Sequence, residues 1–193
     1  MRCECLRPES EMQKLGRYTG NDLMSDLVTD NYRILLTMSR FGIGLGFGDK
    51  RIEEVCREND VDTETFLTVA NMLLGDDLIS TSTVSIECLI EYLQNSHKYF
   101  LGFRLPAIRS ELIAIVGASD DALGRAIIQY FDQYVKGVND HMLYEERVVF
   151  PYVMALMDGV KPDGYCIKGF RDKHDQVESL LTEFKNIQIK YYQ

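Results

Sequence analysis

Between residues 122 and 156 apolar side chains return in steps of three and four: Ile127, Phe131, Tyr134 and Val138, continued by His141, Glu145, Val148, Tyr152 and Ala155. That spacing follows one face of an α-helix, and a face this long commits the chain to a long amphipathic helix. Two of its positions are not apolar. His141 and Glu145 stand four residues apart, one above the other, on the face expected to be buried. A buried carboxylate without a partner is costly, so the pair needs a reason to be there, and a bound metal ion is one such reason.

Two further stretches share this pattern. The first runs from about Ser85 to Val116, with Ile86, Leu89, Ile90, Leu93, Phe100, Leu101, Leu105, Ile108 and Leu112 on its stripe, and His97 falls in that stripe. The other follows a turn around Gly159–Gly164 and carries Ile167, Phe170, His174, Val177, Leu181, Phe184 and Ile187. No segment alternates with the two-residue period of a strand, so the expected fold is all-α.

The N-terminal part is built from shorter pieces. Residues 1–18 are polar and aperiodic and read as a flexible arm. From Thr19 a helical run capped by Asn21 or Asp22 carries Leu23, Leu27, Val28, Ile34, Leu35 and Met38 and stops at Gly42. Asp49 and Asp62 are positioned to cap two more helices, and Gly75 closes this unit of residues 19–75. Residues 76–84, rich in Asp, Ser and Thr, read as the linker to a bundle over residues 85–193. The segment Gly42-Ile43-Gly44-Leu45-Gly46-Phe47-Gly48-Asp49-Lys50 has the look of a phosphate-cradling loop. It follows a helix rather than a strand and has no Ser or Thr after its lysine, so a turn is the better reading.

Composition removes several functions. A net charge of −9 disfavours a nucleic-acid backbone as partner. No apolar run approaches the ~18 residues of a membrane span, and the start lacks a signal peptide's apolar core, so a cytoplasmic protein is expected. The five cysteines are scattered and odd in number, which is no disulfide framework. Cys56 and Cys88 occupy apolar helical positions as core filler; Cys3 and Cys5 have no second pair with which to complete a metal site. No nucleophile–base set of a hydrolase or transferase is present.

The chain has three histidines, and His97, His141 and His174 all fall on a helical seam together with Glu145. With about three positions in seven facing a core, four independent placements there have a chance of about 3%. These four residues are the candidate metal ligands. Imidazole plus carboxylate suits iron, manganese or zinc, and the lack of thiolates favours iron over structural zinc. At about 1.5 Å per residue, His97 lies ~27 Å before the first long turn and His141 ~31 Å after it, so the two are level. Glu145 lies ~18 Å before the second turn and His174 ~9 Å after it, which asks helix three to start early or helix two to bend, as Pro151 would allow.

The run His-Met-Leu-Tyr-Glu-Glu-Arg-Val-Val-Phe-Pro at residues 141–151 resembles the second-helix signature of hemerythrin-like di-iron proteins. Residues 40–56 resemble the small N-terminal domain of bacterial iron–sulfur cluster repair (RIC-type) di-iron proteins, and the two resemblances together span about residues 20 to 190. The resemblance implies a small helical domain followed by an up-down hemerythrin-like bundle holding non-haem iron. It also implies a role in repairing iron–sulfur clusters after nitric oxide or oxidative damage, with damaged iron–sulfur proteins or the gases O₂ and NO as partners. By motif, His97, His141 with Glu145, and His174 correspond to ligands from the first, second and third helices.

Three departures stand out. Gly46 and Phe47 occupy the places of the family's Cys-Cys pair. Aligned on Leu105-Pro106, His97 sits one residue off the family register, which is a rotation of about 100° and asks for a helical bulge or a rearranged ligand. No second His-x-x-x-Glu pair of a fourth helix follows, so the centre is di-iron if a fourth helix is supplied, by a longer polypeptide or by a second subunit as in a homodimer, and partial otherwise. Glu178, four residues after His174, forms a second His-x-x-x-Glu within the chain, but it reads better as a solvated flank residue than as a substitute ligand. Two other classes remain open: a metal-dependent sensing or protein-interaction module, and a degenerate metal-free bundle that self-associates through its uncovered face.

Overall fold

A computed structural model describes residues 17–75, 84–116 and 122–160, with 179, 181–183, 185 and 186 beyond them. The chain divides into two compact units between Leu89 and Ile90. Among the described residues the regular elements are all helical, joined only by one isolated antiparallel bridge between Leu23 and Arg51. The all-α expectation holds. Most of the expected linker, residues 76–83, lies outside the described residues.

The first unit contains α1 (Met24–Asp30), α2 (Ile34–Arg40), α3 (Ile52–Glu58) and α4 (Thr63–Leu73). The single run expected between Thr19 and Gly42 is two helices. Asn31 leaves helical geometry with φ −149°, and its side-chain oxygen accepts the Arg33 N–H at 3.0 Å, a local bond that competes with the helix ladder. Neither Asn21 nor Asp22 caps α1. The Asp22 carboxylate is taken by Thr19, accepting its N–H at 2.7 Å and its hydroxyl at 2.8 Å. Asp49 does not cap α3 either; that helix opens after Arg51, whose N–H donates to Glu54 at 2.8 Å. Asp62 does cap α4, accepting the Thr65 N–H at 2.8 Å, and Gly75, at φ +89°, follows its end.

The glycine-rich loop begins as a helix stop. Gly42 has φ +76°, which frees the Ile43 N–H to bond the Met38 carbonyl at 2.9 Å, closing α2 in a Schellman motif and tucking Ile43 into the core. Around it Met24, Leu27, Ile34, Met38, Ile52, Val55, Cys56 and Phe66 are buried. Tyr18, which the sequence reading placed in the arm, belongs to this core. Buried Asn71 accepts its N–H at 2.8 Å and donates to its carbonyl at 3.0 Å, the double bond pattern of a strand pair made by one side chain.

The first long helix, which lies in the second unit from Ile90 onward, runs unbroken as α5 (Ile86–Tyr99), a wide turn π1 (Phe100–Arg104) and α6 (Leu105–Val116). The return helix is α7 (Ala122–Tyr144), a second wide turn π2 (Glu145–Val149) and α8 (Phe150–Met157). The third expected helix falls almost wholly outside the described residues, and His174 and Glu178 with it. In both wide turns an N–H reaches five residues back: Leu105 to Phe100, and Phe150 to Glu145. Proline follows each time, as Pro106 and Pro151. Proline has no N–H to give and its ring crowds the carbonyl four residues earlier, so the regular ladder is weakest just ahead of it.

Each wide turn takes up one extra residue. His97 and Leu105 are eight apart, about 80° out of phase on a regular helix; with one residue absorbed they share a face, and both are buried. This is the bulge that the register of His97 demanded. In the return helix the same slip moves the stripe. Val148, expected inside, is 38% exposed, while Val149 and Phe150 take the buried positions.

Leu105, Val116, Ile127, Phe131 and Val138 form the core of this unit, with Leu101, Ile108, Leu112, Tyr134 and Met142 against it. Each buried side chain contributes about 1.5–3 kcal/mol relative to exposure. The two helices are antiparallel: Arg109 grips Asp132 through Nε–Oδ1 at 2.6 Å and Nη2–Oδ2 at 2.9 Å, and His97, earlier in its helix, meets Glu145, later in its own.

A candidate metal centre between two helices

His97 is the centre of the arrangement. It lies in the last turn of α5 with 5% of its surface exposed. Immediately before it in the chain, the Ser96 hydroxyl donates back to the Tyr92 carbonyl at 2.8 Å, a bond of the kind that bends helices. The His97 ring stacks on Phe150, centroids 5.8 Å apart and planes at 17°. Phe150 reaches that place because π2 advances the stripe by one residue.

Both ring nitrogens of His97 face carboxylates. Nε2 lies 3.1 Å from Glu145 Oε2, and Nδ1 lies 3.0 Å from Glu146 Oε1. His141, four residues before Glu145, places its own Nε2 3.5 Å from the other oxygen of that carboxylate. Glu145 is therefore shared by two imidazoles from two helices. Its side chain is 14% exposed, and those of His97 and His141 are 6% and 11% exposed, while that of Glu146 is 37% exposed.

Burial is the largest single influence on the His97 proton and pulls it toward the neutral ring. The hydrogen bonds and negative charges of Glu145 and Glu146 together outweigh it, so His97 holds its proton above an ordinary histidine. Without a metal, a ring donating from both nitrogens to two carboxylates is what these contacts describe. A cation bound at Nε2 would have to displace the proton there.

The donor chemistry suits a divalent non-haem metal: two imidazoles and a carboxylate in a mostly dry setting between helices. Ligand atoms each ~2.1 Å from one metal at a right angle are ~3.0 Å apart, and the 3.1 Å between His97 and Glu145 is close to that figure. The 3.5 Å between His141 and Glu145 corresponds to a wider angle. Among the described residues no group of three or more His, Cys, Asp or Glu side chains is gathered tightly enough to hold a metal ion. His97, His141 and Glu145 fit as one side of such a site.

Of the four residues expected from the sequence, three are brought together. The fourth, His174, lies outside the described residues. Sequence reasoning missed Glu146 and Phe150. The Glu-Glu pair held the signal for the first. For the second it was the proline after Phe150, which marks where a uniform helical period stops applying.

The fold and the histidine–carboxylate seam define a class, and comparison with known families names it: residues 88–193 match the hemerythrin HHE cation-binding domain, more than half of the chain, and the protein belongs to that family. Among curated proteins, the chain is 23% identical over 180 residues to the iron–sulfur cluster repair protein ScdA of Staphylococcus haemolyticus (strain JCSC1435), covering 90% of this chain and 81% of that relative. The likeness read from residues 141–151 and 40–56, to a hemerythrin-like protein of the cluster-repair type, is thereby supported. No solved structure gives a significant match. None of the described helices is long and apolar enough to cross a membrane.

Proposed function

We propose that this is a non-haem iron protein of the cytoplasm that takes part in repairing iron–sulfur clusters under nitric oxide or oxidative stress. The observation that carries the reading is the sharing of one carboxylate, Glu145, by His97 and His141 from two helices. His97, His141, Glu145 and His174 would hold the metal, with a second iron where a further histidine–carboxylate pair completes the centre. A bound iron with open positions supplies a place for O₂, NO or an iron ion in transit. The protein's own residues do the rest: Phe150 shields one face of His97 from water, and Glu145 holds both imidazoles toward one another. Likeness to a cluster-repair protein supports the cellular role, and damaged iron–sulfur proteins are the proposed partners.

The test is metal analysis of the full chain purified without oxygen from iron-replete cells. Stoichiometric iron, lost in Glu145→Ala and His141→Ala, is the expected result. Iron at background level in the parent protein overturns the reading. The repair role is tested by adding the iron-loaded protein to a nitric-oxide-treated [4Fe–4S] dehydratase; no recovery beyond that given by free ferrous iron overturns it.

A further inference from the structure

The family signature accounts for Glu145 and leaves Glu146 without a task. In a regular helix two successive residues point about 100° apart, so a neighbour of a seam residue belongs on the flank, in water. Glu146 instead turns its Oε1 to 3.0 Å from His97 Nδ1. The opening of π2 at Glu145 makes this possible, since the wider turn spreads two consecutive carboxylates around one imidazole rather than sending the second away. The ring is then defined on three sides: Glu145 at Nε2, Glu146 at Nδ1 and Phe150 on a face.

These three contacts are not equivalent. A cation held by His97 and Glu145 would stand between Nε2 and Oε2, so that contact is exchanged when a metal binds. The Nδ1 contact faces away from the shared carboxylate and is not in the cation's path. We propose that Glu146 is the positioning residue of the site: it accepts the Nδ1 proton of His97 whether or not a metal is bound, so that when a cation displaces the Nε2 proton the ring stays in the tautomer whose Nε2 lone pair faces Glu145 and His141. A hydrogen-bond acceptor behind a ligating imidazole fixes its tautomer and orients the ring, and losing that partner costs ~10–100-fold in metal affinity. Glu146 touches no metal in this scheme and acts only through His97. The inference rests on the proposed metal-binding reading of His97, His141 and Glu145.

The experiment titrates the metal-free full chain with Co²⁺ against a chromophoric chelator, comparing the parent protein with Glu146→Gln and Glu146→Ala. Glu146→Ala should weaken Co²⁺ binding ~10–100-fold, and Glu146→Gln, whose amide oxygen still accepts from Nδ1–H, should recover most of that loss. A second readout separates positioning from general stability: in ¹⁵N-histidine-labelled, Zn²⁺-loaded protein the His97 Nδ1–H resonance should be sharp in the parent and in Glu146→Gln, and broadened by water exchange in Glu146→Ala. Unchanged Co²⁺ affinity in Glu146→Ala, with the resonance intact, overturns the assignment and leaves the metal site standing. Should Glu146→Ala fail to fold, Glu146→Gln decides alone: affinity within a few-fold of the parent with the resonance kept supports the assignment, and a ~10-fold or larger loss overturns it. A parent protein that binds no Co²⁺ overturns the metal-binding reading and this inference with it.

Discussion

If π1 is one residue inserted into an otherwise regular helix, removing one residue from it should restore the helix without moving its neighbours. Gly102 is the residue to delete, because it is exposed and no other group lies within 4 Å of where its Cβ would be. With the insertion gone, His97 and Leu105 are seven apart and still within ~20° of one face. Nothing buried is lost, and removing a helical glycine returns up to ~1 kcal/mol. The control is deletion of Ser110, an equally exposed position inside regular α6. There the deletion turns the remainder of α6 by about 100° and swings Leu112 and Val116 off the core. At ~1.5–3 kcal/mol for buried Val116 and about half that for partly buried Leu112, the cost is ~2–4.5 kcal/mol. Urea unfolding followed by far-UV circular dichroism reads the difference: with a slope of about 2 kcal/mol per molar, the two midpoints should differ by at least ~1 M. Equal destabilisation by the two deletions would refute the idea that π1 is a register correction.

Three other outcomes follow from the geometry. Asn71→Ala removes both side-chain bonds to the Tyr18 backbone in a buried setting and should cost ~2–4 kcal/mol in the same urea assay; an unchanged midpoint would show that the clamp is dispensable. The Tyr18 hydroxyl is held protonated above its usual range by burial first, and then by its hydrogen bond to Asp30 and the charges of Asp30, Asp26 and Asp22. Folded Tyr18 therefore keeps its proton where the unfolded residue, at about 10, loses it. Its contribution is complete below that pH and disappears as pH rises further, so stability should fall more steeply above pH ~10 in the parent than in Tyr18→Phe. Burial pushes the Cys56 thiol up to about 12, while Cys88 is only half-buried. Native-state alkylation at pH ~8, mapped by mass spectrometry, should label Cys88 well before Cys56.

How much of this was legible in the sequence depends on whether one period sufficed. His97, His141 and Glu145 were found because each lies on a stripe that a 3.6-residue repeat describes up to the wide turns. Beyond those turns the same repeat put Val148 inside and missed Phe150, since counting cannot see an extra residue absorbed between two buried ones. The one-residue offset of His97 from Leu105-Pro106 did announce an irregularity, and π1 is its form. In the first unit the errors came from side chains with two uses. Asp22 and Asn31 are good cap and turn residues, and which backbone group each satisfies is decided by Thr19 and Arg33 nearby. For Asp62 the neighbouring donor is Thr65, whose N–H and hydroxyl both lie inside the first turn of α4, so it capped its helix as expected. Glu146 was not singled out, because a carboxylate next to a seam glutamate belongs in water on any regular helix.

The two prolines carry a consequence for how the molecule can move. Pro106 and Pro151 each leave a carbonyl one turn earlier without its helical donor, and the Gly102 and Arg147 stretches where this happens face solvent. Each long helix thus behaves as two stiff rods spliced by a softer joint, and both joints adjoin the histidines. Slack is concentrated where a proton and a metal cation would exchange places, while the packing of Val116, Ile127 and Phe131 lies on the rigid side of the splice. If His97, His141 and Glu145 hold a cation as proposed, the adjustment between proton and metal would fall at these joints, and the core would have no need to repack.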